Sequence, residues 1–545
     1  MLALPGRYIT LAGASLAALS SGTLYLASSY APQVAAKLHL SSKATNLFLL
    51  CANTSTYLSS PFVGLIVDKK GGRIVMLCAA LALFAGYALL KLSYDAGDEG
   101  GLKARFGALP VLALGETLVG LGSSASYAGF SNGVAKTFDS KRRATALSVC
   151  ISCLGLSAFA YSSLALLIPD RGDPTSSFLA LLALGCGGSI LIAAFLIRPP
   201  LHHRHHHSQT LYSPVPNVDV MEREASPRGR ATLSPSPSPS SEETSDGSSI
   251  SSGEEMVVEV EYVRAKSRER AESKARAIAK EALGHPNVGG WALLRELDFA
   301  LLFLFMGILA GCGLMFINNV GTLVHSLPLP PTTPNDPTTA SLSLTAIQQR
   351  LVSLLSIFNS LGRLLCGPLT DYLSTPSTTK RWTKRWTIPR VWFLCPVAAL
   401  FIFVNATVAR TESVEILQGT AILMGLAYGS LCGSMPVYVI EWFGLASFST
   451  NNGWLSISPA IFGNVFNVLF GTLYDIQAGA SPTPSPPLPS PSQAIDLVRR
   501  GGLPSTDHLC TLGNACFRSA FQLTTTLAVG ALGLAVWMGM RRGRG

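Results

Sequence analysis

Charged side chains are scarce in this sequence. Asp, Glu, Lys and Arg make up 13% of its 545 residues, and hydrophobic residues make up 48%. A soluble protein of this length carries roughly a quarter charged residues, so the shortage excludes a surface that faces water on every side. The formal net charge of +10 does not predict a nucleic-acid partner. The Lys and Arg residues lie between long apolar runs, where lipid headgroups and membrane topology explain them.

The motifs of common catalytic sites are also missing. The sequence contains no His-Glu-x-x-His pair and no Gly-x4-Gly-Lys-Ser/Thr phosphate loop. The lack of a nucleotide site disfavours an ATP-driven pump, and the lack of a nucleophile–base pair disfavours an enzyme. A His-rich patch at 202–207 has no fixed ligand geometry. We therefore predict a protein that is not an enzyme and needs neither a metal nor a cofactor.

Long apolar runs dominate instead. A helix needs about 20 mostly apolar residues to cross the hydrocarbon core, and such runs occur in two groups of six. The first six lie near 8–31, 45–67, 73–92, 107–134, 145–168 and 177–197. The second six lie near 297–324, 345–370, 389–408, 414–441, 454–475 and 518–540. The sequence thus predicts an all-α membrane protein with twelve transmembrane helices in two six-helix halves, 1–197 and 296–545.

Basic clusters predict the orientation. They follow the second, fourth and eighth spans and end the chain: Lys69, Lys70, Arg73, Lys141, Arg142, Arg143, Lys380, Arg381, Lys384, Arg385, Arg390, Arg541, Arg542 and Arg544. With twelve spans these positions share one side, which the positive-inside rule makes cytosolic. Both termini and the segment 198–295 between the halves are then cytosolic.

Segment 198–295 differs from the spans in composition. It holds the His patch, a Ser-Pro run at 234–240 and an acidic stretch at 242–255. This composition buries too little apolar surface to offset its ordering entropy, so we expect disorder. Residues 257–283 mix charged and apolar residues in a pattern that suits a helix on the membrane surface. The Ser-Pro run is a candidate target for a kinase, which would be a partner besides the lipid bilayer.

The most specific motif runs from Gly64 through Asp68 to Gly71, Gly72 and Arg73, at the end of the second span. Gly64 permits close helix contact, and Asp68 can face the positive N-terminus of a neighbouring helix. Gly71 and Gly72 allow a tight reversal, while Arg73 supplies a cation for an ion pair. We predict a latch that holds one conformation and releases the other. The alternative is an ordinary charged loop placed by the positive-inside rule.

A shorter copy of the motif ends the eighth span, the counterpart of the second. It runs from Gly367 to Asp371 with the same spacing between Gly and Asp. Repeated halves related by an axis along the membrane normal, with a binding site between them at mid-depth, are the architecture that such a repeat implies. Gly367 and Asp371 are therefore assigned to the same latch.

Charges inside spans are costly, so each marks a candidate functional residue. Arg363 lies eight residues before Asp371, which is about 12 Å deeper by helix rise. It is predicted either to bind an anionic or hydrogen-bonding solute or to pair with an acid in the gate. Glu116, in the fourth span, is either a proton-coupling group or the partner of a cation. The polar residues predicted to line the cavity are Tyr127, Asn318, Asn319, Asn359 and Tyr428.

Most cysteines fall inside apolar runs, where they act as small apolar side chains. Cys510 and Cys516 instead lie in a polar loop before the last span. If that loop is on the non-cytosolic side, a local disulfide is expected.

The motif of the second span resembles the loop motif of the major facilitator superfamily, and the whole set resembles the fungal monocarboxylate-transporter-homologue proteins. The segments that carry the resemblance are 23–25, 28–30, 64–73, 120–124, 316–321, 359–371, 436–441, 451–453 and 471–475. The resemblance implies a transporter whose fourth and eighth spans line the cavity. It also implies the vacuolar membrane, with the plasma membrane as the alternative.

One departure bears on the cargo. Proton-linked monocarboxylate carriers have Asp, three residues and Arg in the eighth span, whereas Asn359 precedes Arg363 here. Their acidic-Gly-Gly-aromatic signature in the first span is missing too. We predict a secondary transporter that moves a small anionic or carboxylate-bearing solute across an internal membrane by alternating access. The alternative is a non-transporting membrane sensor of the same fold that signals through segment 198–295.

Overall fold

The structure, a computed structural model, describes residues 6–38, 40, 42–97, 107–165, 173–197, 287–327, 337–374, 388–479, 510 and 512–542. The chain divides into two compact units, and every described residue belongs to the unit formed by Met1–Pro200 and His285–Gly545. The predictions for the His patch, the kinase target and the surface helix lie outside the described residues. The boundaries of segment 198–295 stay a prediction.

The described residues form α-helices and short 3-10 turns, without a β-strand among them. The first half contains α1 (Gly6–Ser21), α2 (Ala27–Lys37), α3 (Ser42–Lys70), α4 (Gly72–Asp95), α5 (Ala108–Thr137), α6 (Ser140–Gly155), α7 (Ser157–Ala165) and α8 (Pro174–Leu196). The second half contains α9 (Leu297–Ser326), α10 (Pro337–Ser374), α11 (Leu394–Val408), α12 (Val414–Phe443), α13 (Phe448–Gly479) and α14 (Ala515–Arg542). The 3-10 turns are Thr23–Leu26, Gly290–Arg295 and Arg390–Phe393.

Helices lie at the positions of all the predicted spans, but they are not equally apolar. Within the described part of the chain, nine helices are long and apolar enough to cross a membrane, or ten if α6 and α7 form one bent span. α1 has 16 residues, fewer than the roughly 20 that a span needs. α3 carries a run of hydroxyl and amide side chains from Asn53 to Ser60. The protein is all-α, and the count of twelve spans stays a prediction.

Two of the predicted spans are not continuous helices. The span near 8–31 breaks at the 3-10 turn Thr23–Leu26, and the span near 145–168 bends by 43° between α6 and α7. The two breaks touch, since a Cβ atom added to Gly22 would lie 2.8 Å from the Cβ atom of Ser157 and would also strike the Leu154 carbonyl oxygen. Glycine at this position lets the two irregular backbones meet, which is how non-helical backbone is tolerated at membrane depth.

Two helix pairs make most of the contact between the halves: α3 packs on α13, and α6 packs on α10. Both contacts are close at the predicted latch glycines. A Cβ atom on Gly64 would lie 2.7 Å from the backbone nitrogen of Thr450, and one on Gly367 would lie 2.5 Å from the carbonyl oxygen of Ala144. Small residues at these crossings allow the backbones to approach and to form hydrogen bonds between the halves.

Candidate functional site

Asp68 stands at the last turn of α3 and reaches the start of α13 in the other half. Its Oδ2 accepts hydrogen bonds from the Thr450 backbone N–H at 2.8 Å and from the Thr450 hydroxyl at 2.8 Å. Its Oδ1 accepts a bond from the Ser449 backbone N–H at 3.2 Å. Free N–H groups and the helix dipole make a helix N-terminus attractive to a carboxylate. Asp68 therefore caps α13, as its position in the motif predicts.

Asn132 adds a third helix to this contact. Its amide nitrogen donates to Asp68 Oδ1 at 3.0 Å and to the Ser449 hydroxyl at 2.6 Å. Asn132 lies in α5 and is only 3% exposed. Sequence analysis missed it, and the signal that would find it is a lone amide near the end of an otherwise small and apolar span.

The reversal after α3 follows the motif, but Arg73 does not act as predicted. Gly71 has a φ of +90°, a conformation that favours glycine, and Gly72 begins α4. Among the described residues Arg73 forms no ion pair; its guanidinium lies 4.8 Å from the centre of the Phe195 ring. The first turn of α4 faces the end of α8 here, so the predicted ion pair of Arg73 is corrected to a cation–π contact.

Asp371, on α10 of the second half, forms the matching contact with α6 of the first half. Its Oδ2 accepts bonds from the Thr145 backbone N–H at 2.9 Å and from the Thr145 hydroxyl at 2.7 Å. Its Oδ1 forms an ion pair with Arg390 at 2.8 Å. Arg390 also pairs with Glu441 and donates to the Ser140 carbonyl oxygen at 3.2 Å. The end of the bundle that carries Asp68 and Asp371, here named the latch end, is closed by these bonds between halves.

Arg363 lies on α10 at the interface between the halves and is 7% exposed. Its Nε donates to Asn359 Oδ1 at 3.2 Å, one turn earlier on the same helix, and its Nη1 donates to the Ile151 carbonyl oxygen at 3.3 Å. No carboxylate pairs with Arg363 within the part of the chain that the structure describes. The acid of the gate, Asp371, pairs with Arg390 instead.

Arg363 faces a cavity of about 160 Å³ between the halves. The first half lines it mainly with hydroxyl groups: Ser21, Thr56, Tyr57, Ser60, Ser123, Ser124 and Tyr127. The second half adds mostly apolar and sulfur-bearing side chains, including Met306, Tyr428, Cys432, Met435, Pro436, Leu455 and Pro459. The hydroxyls of Ser123 and Ser124 are buried without a hydrogen-bond partner in the structure. Such hydroxyls can donate to a water molecule or to a polar solute in the cavity.

The structure brings together only some of the predicted site residues. Arg363, Tyr127 and Tyr428 line the cavity, and Asn359 orients the guanidinium. Glu116 lies outside it, in the interior of the first half, where its Oε1 accepts a bond from the Tyr30 hydroxyl at 2.7 Å.

The two asparagines of α9 also lie away from the cavity lining. Asn318 is exposed on the helix surface. Asn319 donates to Asn467 Oδ1 at 3.0 Å and so joins α9 to α13 within the second half. Neither asparagine is among the residues that line the Arg363 cavity, and their role in transport stays a prediction.

Two further predictions concern the cysteines and metals. Cys510 and Cys516 form a disulfide with Cα atoms 5.8 Å apart, just before and within the first turn of α14. No group of His, Cys, Asp and Glu side chains that could hold a metal ion occurs in the described ranges.

Comparisons with known proteins agree with this architecture. The profile of the Major Facilitator Superfamily matches residues 13–329, more than half of the chain. The probable transporter MCH1 of Gibberella zeae is 25% identical, with 98% of this chain and 90% of that protein aligned. An uncharacterised membrane protein of Saccharomyces cerevisiae is 24% identical, with 87% and 88% aligned. The MCH1 relatives confirm the resemblance to the fungal monocarboxylate-transporter-homologue proteins.

Solved structures show the same fold. The proton:xylose symporter XylE superposes with a TM-score of 0.56 at 12% identity, over 96% of this chain and 94% of that one. A bacterial homologue of the iron transporter ferroportin, in an outward-facing state, superposes with a TM-score of 0.58 at 12% identity, over 98% and 100%. The chain is a multi-pass membrane protein and not an enzyme. It belongs to the major facilitator superfamily and is a secondary transporter.

Proposed function

We propose that this protein carries a small carboxylate-bearing anion across an internal membrane by alternating access, with Arg363 as the group that binds the anion. The observation that carries the proposal is the setting of Arg363: a cation that is 7% exposed, faces the central cavity and has no carboxylate partner among the described residues. A buried cation left unpaired is unfavourable. A bound anion would restore the pairing.

The geometry of the guanidinium suits a carboxylate. Asn359 Oδ1 and the Ile151 carbonyl oxygen accept hydrogen bonds from Nε and Nη1, which fixes the plane of the guanidinium. Charge-assisted hydrogen bonds from a fixed guanidinium recognise carboxylates well, and Arg serves this purpose better than Lys. Two of the five N–H donors are engaged, and the three that remain are enough to bind one carboxylate.

The cavity limits the size of the solute. An engineered cavity of about 150 Å³ in another protein holds benzene, which has six heavy atoms. A cavity of about 160 Å³ therefore suits a solute of similar size. The hydroxyls of Ser123 and Ser124 offer hydrogen bonds to a second polar group, while Met306 and Met435 provide apolar contact for the carbon skeleton. We propose a short-chain carboxylate with one further polar group.

The latch supports alternating access. Asp68 and Asp371 hold the latch end closed through bonds between halves, and this end is the one that the positive-inside rule predicts to be cytosolic. While the latch end is closed, the solute can reach the Arg363 cavity only from the opposite side of the membrane. The hydrogen bonds of Asp68 and Asp371 must break before the solute leaves at the latch end. The vacuolar membrane is the proposed home because of the resemblance to the fungal relatives. The comparisons give no support to the sensor alternative.

Uptake into proteoliposomes tests the proposal. Purified wild-type protein, Arg363→Gln, Arg363→Lys and the exposed control Arg410→Gln would receive the same metabolite mixture, and mass spectrometry would identify the solutes taken up. We expect small carboxylates to enter with wild type and Arg410→Gln. Arg363→Gln should lose about tenfold or more, since a hydrogen bond to a charged group contributes about 1.5–3 kcal/mol. Arg363→Lys should keep part of the uptake.

The outcomes separate the candidate functions. Equal uptake by Arg363→Gln and wild type, or uptake of neutral solutes alone, would remove Arg363 from the site. If a folded protein moved no solute under any gradient, the sensor alternative would replace transport.

A further inference from the structure

A second polar cluster lies inside the first half, apart from the Arg363 cavity. It consists of Glu116, Tyr30, Tyr87, Thr23 and Cys186, here named the Glu116 cluster. The Tyr30 hydroxyl donates to Glu116 Oε1 at 2.7 Å, and the Tyr87 hydroxyl donates to Thr23 Oγ1 at 3.0 Å. The Cys186 thiol also donates to Thr23 Oγ1, at 3.5 Å. These groups come from α2, α4, α5, α8 and the 3-10 turn.

The carboxyl of Glu116 is unusual in this cluster. Glu116 has no exposed surface, and its Oε2 has no hydrogen-bond partner among the residues that the structure describes. The titratable groups that face it are Tyr30 from α2 and Tyr87 from α4, with Cys186 from α8 beyond them. Among the described residues, the other elements packed on α5 present no charged group to it. Glu116 is therefore the one acid of the cluster, without a cation to balance it.

A bare carboxylate in such a place is strongly disfavoured, because neither water nor a cation replaces its hydration. A proton on Oε2 removes the charge with no rearrangement of the neighbours. We propose that Glu116 is a proton-binding site of this protein and that its protonation is coupled to the transport cycle. This inference rests on the transport function proposed above, and it places the coupling group outside the solute cavity.

The break in the first span connects the two sites. Ser21 and Leu24 line the solute cavity, while Thr23, between them, belongs to the Glu116 cluster. Tyr30, on α2, follows the same break and holds the carboxyl directly. A change of charge on Glu116 therefore acts on backbone that also forms the cavity wall.

The proton step itself is simple. Glu116 Oε2 takes a proton from a hydronium ion, which becomes water, and the reverse step returns the proton to water. On the protein, only this O–H bond forms and breaks. The Tyr30 hydroxyl keeps its own proton and donates to Oε1 throughout.

Infrared difference spectroscopy detects the proton without any solute. The carbonyl stretch of a protonated carboxyl, recorded in reconstituted wild type between acidic and alkaline buffer, should contain a component that Glu116→Gln lacks. Glu415→Gln removes an exposed carboxyl of α12 and should leave that component unchanged. Tyr30→Phe should shift its frequency, because the hydrogen bond to Oε1 is lost. If Glu116→Gln does not fold, Glu116→Asp keeps a titratable group and should move the band.

Spin-label distances test the coupling. Labels on Lys70→Cys and Ala446→Cys, two exposed positions on opposite halves at the latch end, report latch opening in a background whose other free cysteines are replaced. We expect the wild-type distance distribution to change between acidic and alkaline buffer, and Glu116→Gln to keep the acidic distribution in both.

Three results would overturn the proposal. They are a carbonyl band unchanged by Glu116→Gln, a pH response of the latch that survives Glu116→Gln, and a latch that responds to Na⁺ instead of pH. A failed uptake experiment alone would leave both measurements intact, so the two proposals fail separately.

Discussion

The carboxylate of Asp68 accepts both the backbone N–H and the hydroxyl of Thr450, each at 2.8 Å, across the interface between the two halves. Asp371 and Thr145 repeat the arrangement with the halves exchanged, at 2.9 and 2.7 Å. The predicted latch thus contains one Asp–Thr contact used twice, as expected of two halves related by an axis along the membrane normal. The second copy differs in adding Arg390, which ties Asp371 to Glu441.

Asp68→Asn should weaken the latch. The amide keeps the shape of the side chain but loses the negative charge that a helix N-terminus attracts. Its NH₂ group cannot accept hydrogen bonds from the donors of Ser449, Thr450 and Asn132. Loss of a cap of this kind destabilises by about 1–2 kcal/mol, a shift of roughly five- to thirtyfold towards the open latch. Distances between labels on Lys70→Cys and Ala446→Cys would measure the shift. Asp475→Asn, an exposed acid on α13, should have no effect, and an equal shift in this control would contradict the assignment.

Val288, near the end of segment 198–295, is hydrogen-bonded to the first turn of α13. Asn451, fully buried in the first turn of α13, donates to the Val288 carbonyl oxygen at 2.7 Å, and the Val288 N–H donates to the Phe443 carbonyl oxygen at 3.1 Å. The segment around Val288, which leads into the second half, therefore packs beside the first turn of α13, where Asp68 binds.

Asn451→Leu should destabilise the fold at this contact. It leaves the half-buried Val288 carbonyl oxygen without its donor, and the loss of such a hydrogen bond costs about 0.5–1.5 kcal/mol. We expect a lower thermal unfolding temperature in detergent. Asn53→Leu, which replaces an exposed amide inside α3, is the matched control. Equal unfolding temperatures for Asn451→Leu and wild type would show that the contact does not stabilise the fold.

The break in the first span depends on Gly22. A Cβ atom there would lie 2.8 Å from the Cβ atom of Ser157 and closer still to the Leu154 carbonyl oxygen, so Gly22→Ala should force the breaks apart. Overpacking of this kind typically destabilises by about 1–3 kcal/mol. Gly188→Ala, on α8 where a Cβ meets nothing within 4 Å, should be tolerated. The yield of monodisperse protein and its unfolding temperature would distinguish the two. Equal behaviour would mean that the breaks do not need their close contact.

Local sequence patterns predict the parts of this molecule that depend on nearby residues. Apolar runs predict the helices, and the spacing from Gly64 to Asp68 predicts an acid at a helix N-terminus. A charge deep inside an apolar span predicts Arg363, whose cavity is also lined by Tyr127 and Tyr428.

The missed features depend on partners far away in the chain. Thr450 lies 382 residues from Asp68 in the sequence, and Asn132 lies 64 residues from it. The lone amide of Asn132 could mark it as a candidate, but no local pattern names Asp68 as the partner of either residue. The position of Gly22 is equally unmarked, because glycine is common in membrane helices and only the opposing break near Leu154 gives it a role. Arg73 follows the motif in sequence, yet its contact depends on Phe195 at the end of another helix.

Asp173 lies just before α8 and outside the predicted spans. Its carboxylate should make the stability of the fold fall as the pH is lowered. Burial raises the pKa of its carboxyl, but bonds from the Tyr94 hydroxyl at 3.1 Å, Lys37 at 3.3 Å and the Thr175 N–H at 3.0 Å outweigh it, so the pKa lies below its usual value. A depressed pKa contributes stability above the unfolded-state value that is lost as pH falls through the folded-state value. Wild type should therefore unfold at a higher temperature than Asp173→Asn near neutrality, and the difference should vanish in acid. A difference that persists in acid would mean that the charge of Asp173 does not stabilise the start of α8.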